Sequence, residues 1–231
     1  RKGEIVGFTG LMGSGRTELA MSVFGKAYGR NISGDLTKNG QEIEMNDIRS
    51  AINHGVMYLT EDRKGAGLNL IDDIRHNITV ASLDKLSTNN VVNQNEEIKV
   101  ATEFRKNLNI RSTGIWQIAG TLSGGNQQKV MLCRGLFSDP DVLFLDEPTR
   151  GIDVGSKYEI YTFMNQMANE GKCIVFISSE MPELLGMCDR LYVINEGRII
   201  AEYTGEEISQ EKIMDSILTD TRERSKNVEI A

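Results

Sequence analysis

Val142-Leu143-Phe144-Leu145-Asp146-Glu147-Pro148-Thr149 decides how the rest of the chain is read. Apolar residues run into two adjacent carboxylates, and a proline follows at once. A continuous apolar run closed by a breaker predicts a fully buried strand of a parallel sheet. Ionised carboxylates are rarely buried without a partner. At the C-terminal edge of an open α/β sheet, where ligands bind, they usually serve one. Taken alone, the stretch is equally consistent with Asp146 capping the next turn.

Composition narrows the classes. The 231 residues are 39% hydrophobic and 26% charged, the balance of an ordinary globular chain. A net charge of -7 argues against nucleic acid as partner, which would need a basic stripe. Cys133, Cys173 and Cys188 are scattered without metal-type spacing, which predicts free thiols in a reducing cytoplasm. No apolar run approaches the ~20 residues that span a bilayer, and no secretory leader is legible. The chain opens on Arg1-Lys2-Gly3-Glu4, without Met and with a strand directly behind, which predicts a fragment of a longer protein.

Residues 4–9 are β-branched and apolar and predict that strand. Gly10-Leu11-Met12-Gly13-Ser14-Gly15-Arg16-Thr17 follows, and then a helix over residues 18–24. Strand, glycine-rich loop and helix in succession are the context a phosphate-binding loop requires. Glycines let successive N–H groups turn inward into an anion nest. The helix N-terminus adds partial positive charge, and Thr17 offers a hydroxyl to Mg²⁺. The usual pattern, G-x-x-x-x-G-K-[ST], has lysine where this chain has Arg16. Arginine keeps the charge and can fork onto two oxygens, but it is longer and planar. Nucleotide binding is expected to survive, and charge placement on the β- and γ-phosphates to suffer.

Residues 33–44 predict a hairpin turning at Lys38-Asn39-Gly40. A short helix ends over 51–55, and a strand over 56–60 delivers Glu61-Asp62-Arg63-Lys64 to the same sheet edge. From 69 to 139 helix-length patterns take over, around an Asn-rich loop at 87–95. They predict a helical subdomain inserted into the sheet domain, with Trp116 as core or interface. Ser123, Gly124 and Gly125 open a helix through Phe137 and offer a second anion site. With two such sites in one chain, Asp146 is expected to hold Mg²⁺, through water. Glu147 is expected to polarise the water that attacks a γ-phosphate. Further on lie a helix over 158–170 and a buried strand over 174–177, which ends in Ser178-Ser179-Glu180. A short helix over 181–187, a hairpin around Asn195-Glu196-Gly197, an amphipathic stretch over 208–218 and a frayed polar tail from Thr219 complete the chain.

The set resembles the nucleotide-binding domain of an ABC transporter. The glycine loop resembles its Walker A, Leu122-Ser123-Gly124-Gly125-Asn126 its signature and the 142–149 run its Walker B, in the family's order over nearly the whole chain. More narrowly, GRTEL, LSGGNQQKV, DEPTRGIDVG and ISSEMPELL resemble the second domain of tandem ATP-binding subunits of bacterial monosaccharide importers. The resemblance implies an α/β P-loop NTPase, a mostly parallel sheet flanked by helices. Its ATP-binding core would take 1–68 and 140–219, its helical subdomain 69–139 and its polar tail 220–231, with the family's first strands and adenine-stacking aromatic lying upstream. ATP and Mg²⁺ are the implied ligands. Gly10, Gly13, Ser14, Gly15, Arg16 and Thr17 would face the nucleotide, as would Ser123, Gly124, Gly125 and Asn126. Thr17 and Asp146 would hold the metal, and Glu147, Ser179 and Glu61 would take the catalytic positions.

The departures shape the expectation. Besides Arg16, the family's Q-loop glutamine falls at Glu61 and its switch histidine at Ser179. A carboxylate at 61 would repel a γ-phosphate unless metal-bound, and serine is shorter than histidine and cannot become a cation. In the family two such domains dimerise head-to-tail, each signature completing the other's site. The intact signature here implies service in trans to the upstream tandem half, with this chain's own site slowed. Implied partners are that half, transmembrane permease subunits met near residues 61–70 and, indirectly, a periplasmic sugar-binding protein. The place is the cytoplasmic face of a bacterial plasma membrane. Two other readings are a catalytically silent nucleotide-sensing half and a soluble ABC protein acting on DNA or ribosomes. The acidic charge and the lack of a long heptad insertion count against the last.

Overall fold

The computed structural model describes the backbone of residues 1–229 and the side chains of residues 1–222. In chain order the elements are β1 (Ile5–Thr9), α1 (Arg16–Val23), β2 (Leu36–Lys38), β3 (Gln41–Ile43), α2 (Ile48–Asn53), β4 (Val56–Leu59), α3 (Ile74–Thr79), β5 (Ser87–Thr88), β6 (Val91–Val92), α4 (Gln94–Asn107), α5 (Gly124–Phe137), β7 (Val142–Asp146), α6 (Val154–Asn169), β8 (Cys173–Ile177), α7 (Met181–Met187), β9 (Arg190–Asn195), β10 (Arg198–Thr204) and α8 (Gln210–Glu229). Local chemistry sets several starts. Asp47, Asp73 and Asn93 each accept from a backbone N–H in the first turn of α2, α3 and α4, satisfying donors a helix start leaves open. Pro182 sits in the first turn of α7, where its missing N–H costs nothing.

The chain divides into two compact units. The first holds Arg1–Tyr58, Asp141–Glu147 and the residues from Phe163 onward. Its centre is a six-stranded sheet in the order β10-β9-β1-β8-β7-β4. β9, β1, β8 and β7 are mutually parallel, and β10 is antiparallel to β9. Leu143, Phe144, Leu145 and Asp146 are all buried, the unbroken pattern of a strand covered on both faces. Registers align Asp146 with Ile177 and Ile177 with Phe8, so the ends of β7, β8 and β1 lie in one row. The β2–β3 hairpin stands as a separate two-stranded sheet.

The second unit holds Leu59–Pro140 and Pro148–Thr162. α3 packs on α4 and α5 around Ile74, Ile78, Ala101, Val130 and Cys133. The Asn-rich loop carries a small hairpin, β5 to β6, that its polarity conceals; Asn89 and Asn90 supply the positive φ of its turn. α6 begins at Val154, four residues before apolar spacing marks it, because Asp153 accepts from Ser156 N and starts the helix. Trp116 is not core: it is 58% exposed under the Arg75 guanidinium. The tail expected to fray from Thr219 is helical through Glu229, and residues 230–231 lie outside the described residues. Among the described residues no helix is long and apolar enough to cross a membrane.

Candidate functional site

The first unit gathers the glycine loop, Asp146, Glu147 and Ser179 at one sheet edge, because β1, β7 and β8 end there side by side. Gly10, Gly13 and Gly15 all take positive φ. Gly10 is compulsory: a Cβ there would lie 2.0 Å from the Ile194 carbonyl and 2.7 Å from Ser14 Oγ. Gly15 caps α1, and the first amides of a helix have no partner inside it. The Ser14 hydroxyl is buried and meets no hydrogen-bond partner among the described residues. Leaving such a group unmet costs about 1–3 kcal/mol, and a phosphate oxygen held by the loop would satisfy it. The residues therefore fit an anion.

Thr17 Oγ1 donates to Asp146 Oδ2 at 2.8 Å, and the Tyr58 hydroxyl donates to the same oxygen at 2.7 Å. Asp146 is thus no turn cap; it joins the phosphate loop to the acidic strand. Two hydroxyls on one buried carboxylate are hard oxygen donors of the kind Mg²⁺ takes. Arg16 Nη1 donates to the Ser178 carbonyl at 3.2 Å, at the end of β8.

Glu147 is buried and sits in the left-handed region at φ 46, an uncommon conformation for a residue with a side chain. Its N–H donates to the Ile177 carbonyl at 2.9 Å, which fixes the bend. Burial pushes its carboxyl above the ordinary carboxylate value and the Asp146 charge adds to the rise, while hydrogen bonds from the Ser179 hydroxyl and amide and the Arg16 charge oppose it. A buried carboxylate with a raised pKa at a strand end is suited to proton abstraction.

The second unit holds Glu61 and, apart from it in sequence, Ser123, Gly124, Gly125 and Asn126. Ser123 precedes α5 without capping it by its side chain. Asn126, expected on the nucleotide, spends its side chain inside the turn. Its Oδ1 accepts from the Arg111 backbone N–H at 2.8 Å. A backbone N–H can only donate, so the amide orientation is fixed and Nδ2 faces Ser123 Oγ, also at 2.8 Å. The serine oxygen accepts there, and its own proton is left to donate elsewhere. Glu61 pairs with Arg150, and Arg63 Nη1 donates to the Gly124 carbonyl at 3.0 Å. Neither arginine stands out in sequence; the signal is a charged loop directly after a strand.

Two acidic residues at the end of a buried strand, a phosphate loop beside them and, elsewhere in the chain, a glycine-rich helix start define a P-loop nucleotide-binding cassette. The chain belongs to the ABC transporter family, whose description it matches over residues 1–150. It is 57% identical to the L-arabinose transport ATP-binding protein AraG of Geobacillus stearothermophilus, over 93% of this chain and 42% of that protein. It is 52% identical to the xylose import ATP-binding protein XylG of Thermoanaerobacter pseudethanolicus, with the same coverage. The chain therefore spans less than half the length of these curated relatives. Its fold matches the ADP conformation of MJ1267, an ATP-binding cassette of an ABC transporter, with a TM-score of 0.76 at 22% identity over 94% of this chain and 88% of that one. A nucleotide-free cassette from an ABC transporter matches at the same TM-score, 0.76, with 21% identity over 96% of this chain and 87% of that one.

Proposed function

We propose that this chain is an ATP-hydrolysing module of a bacterial monosaccharide importer, peripheral to the cytoplasmic face of the plasma membrane. The observation that carries this reading is the Thr17–Asp146 hydrogen bond, which joins the phosphate loop to the acidic strand. Gly10, Gly13, Ser14, Gly15 and Arg16 hold the triphosphate. Thr17 and Asp146 are the residues that would hold Mg²⁺, and that ion, when bound, neutralises charge on the phosphoryl group. Glu147, with its pKa raised by burial, orients the attacking water and takes its proton. Ser123, Gly124 and Gly125 serve in trans, turning amides and a hydroxyl proton toward a nucleotide held by a partner cassette. The arabinose and xylose relatives support a sugar as cargo. Permease subunits and a periplasmic sugar-binding protein are the corresponding partners, with residues 1–68 and 140–219 as the ATP-binding core and 69–139 as the helical subdomain.

Arg16, Glu61 and Ser179 stand where the family carries lysine, glutamine and histidine, and they support a slow site of the chain's own. The same three residues favour a second reading, a silent nucleotide-sensing half. Glu147→Gln in the full-length protein separates the two. Slow hydrolysis is still obligatory under the first reading, so sugar uptake falls by about two orders of magnitude; under the second it is unchanged.

A further inference from the structure

The two glycines of the signature turn are packed against their own unit, Gly125 on the first turn of α6 and Gly124 on two loops. A Cβ on Gly125 would lie 2.7 Å from Ser156 Oγ, and one on Gly124 would lie 3.3 Å from Arg63 Nη1 and 3.5 Å from the Gly151 carbonyl. Arg63 is the neighbour that Gly124 and Gly151 share. Its Nη1 donates to the Gly124 carbonyl at 3.0 Å, and a Cβ on Gly151 would meet its Nη2 at 3.5 Å. One side chain therefore bonds the signature turn and stands near the loop after β7 while rooted on the loop after β4. That last loop is a tight turn over Arg63–Gly67, closed by Leu68 N donating to the Arg63 carbonyl at 2.8 Å, so the arginine's root is fixed as well as its tip.

The charge is placed too. The carboxylate two residues earlier, Glu61, pairs with Arg150. Among the described residues Arg63 itself forms no ion pair. Burial lowers its pKa. A half-buried guanidinium that faces a carbonyl and is paired with no carboxylate sets a cation beside Gly124, while the Asp153 carboxylate stands on the Gly125 side, 3.5 Å from where a Gly125 Cβ would lie.

We propose that Arg63 is a positioning residue for the signature turn: it pins the Gly124–Gly125 backbone against the Gly151 loop and keeps a cation beside it, so that the turn meets a triphosphate in one orientation. The proposal rests on the reading of Ser123, Gly124 and Gly125 as a nucleotide-contacting turn. Arginine suits the task because its planar fork reaches two neighbours at once, whereas lysine supplies a charge and a single point of contact.

The test is ATP turnover against ATP concentration for the full-length protein in its transport complex, as wild type, Arg63→Gln, Arg63→Lys and Ser123→Ala, each with its thermal midpoint. Loss of a turn held ready to bind, whose contacts serve ground and transition states alike, is read as a rise in KM with kcat spared. Arg63→Gln is expected to raise KM about tenfold or more with kcat within about twofold, and Arg63→Lys to fall between it and wild type. A purely structural role would instead lower the thermal midpoint and the active fraction with KM unchanged. If Ser123→Ala raises KM and both Arg63 variants leave it at the wild-type value, this inference is overturned and the signature reading stands. If Ser123→Ala itself leaves KM unchanged, the signature reading fails and this inference with it. Arg63→Lys keeps the charge, so the test survives should Arg63→Gln fold poorly.

Discussion

Ser179 stands beside Glu147, and both its hydroxyl and its backbone amide lower the pKa of that carboxyl. Both favour the ionised carboxylate and work against the rise that burial imposes. Ser179→Ala removes the hydroxyl donor, so the Glu147 pKa climbs further. With Glu147 as the proposed base, the ascending limb of the pH–rate profile is expected to move to higher pH. An unmoved limb would show that another group governs it.

The same shift appears in stability. The folded-state pKa of Glu147 is raised, so the folded chain binds that proton more tightly than the unfolded chain. The penalty is therefore full above the folded pKa and vanishes as pH falls below the ordinary carboxylate value. Glu147→Gln mimics the protonated form. Its thermal midpoint is expected to exceed that of wild type at pH 8 and to converge with it near pH 4, as read by calorimetry.

Much of this arrangement is legible in the amino-acid sequence. Unbroken burial of the 142–146 strand follows from its composition, and the loop of residues 10–15 follows from its glycine spacing. The pairing of Thr17 with Asp146 follows once both sit at one sheet edge. What stays hidden depends on contacts between distant parts of the chain. Tyr58 reads as an ordinary strand tyrosine, yet its hydroxyl reaches Asp146, 88 residues away. Asn126 reads as a ligand because it stands in the motif, and only the Arg111 amide 15 residues back shows that it orients Ser123. Arg63 and Arg150 lie in charged loops, whose usual fate is solvation.

Tyr58→Phe tests that long-range bond. It removes a hydroxyl donor from a buried carboxylate, a bond of about 1.5–3 kcal/mol when one partner is charged. Urea unfolding is expected to show a loss within that range, whereas a surface hydroxyl would lose almost nothing.

Gly10→Ala forces a methyl group to within 2.0 Å of the Ile194 carbonyl at φ 155. Backbone cannot yield as a flexible side chain does. The loop must shift, at a cost of about 2–3 kcal/mol, and nucleotide affinity is expected to fall with it. A stable variant with wild-type affinity would refute the crowding argument.

Arg134 spans the second unit. Its Nε and Nη2 donate to the Asn77 carbonyl at 2.8 Å and to Asn77 Oδ1 at 3.0 Å, and Nη1 donates to the Gly67 carbonyl. Burial lowers its pKa to about 10. Arg134→Met leaves these acceptors unmet and is expected to cost about 2–4 kcal/mol, measured by guanidinium unfolding. Arg134→Lys should recover less than half, for want of the fork.

The central claim is that the loop of residues 10–17 grips a triphosphate together with Asp146. Isothermal titration of Mg-ATP into the protein, as wild type and as Thr17→Ala, tests it most directly. The account predicts one nucleotide bound per loop and at least about tenfold weaker binding without the Thr17 hydroxyl. No heat of binding for wild type, or equal affinity for the two proteins, would contradict it.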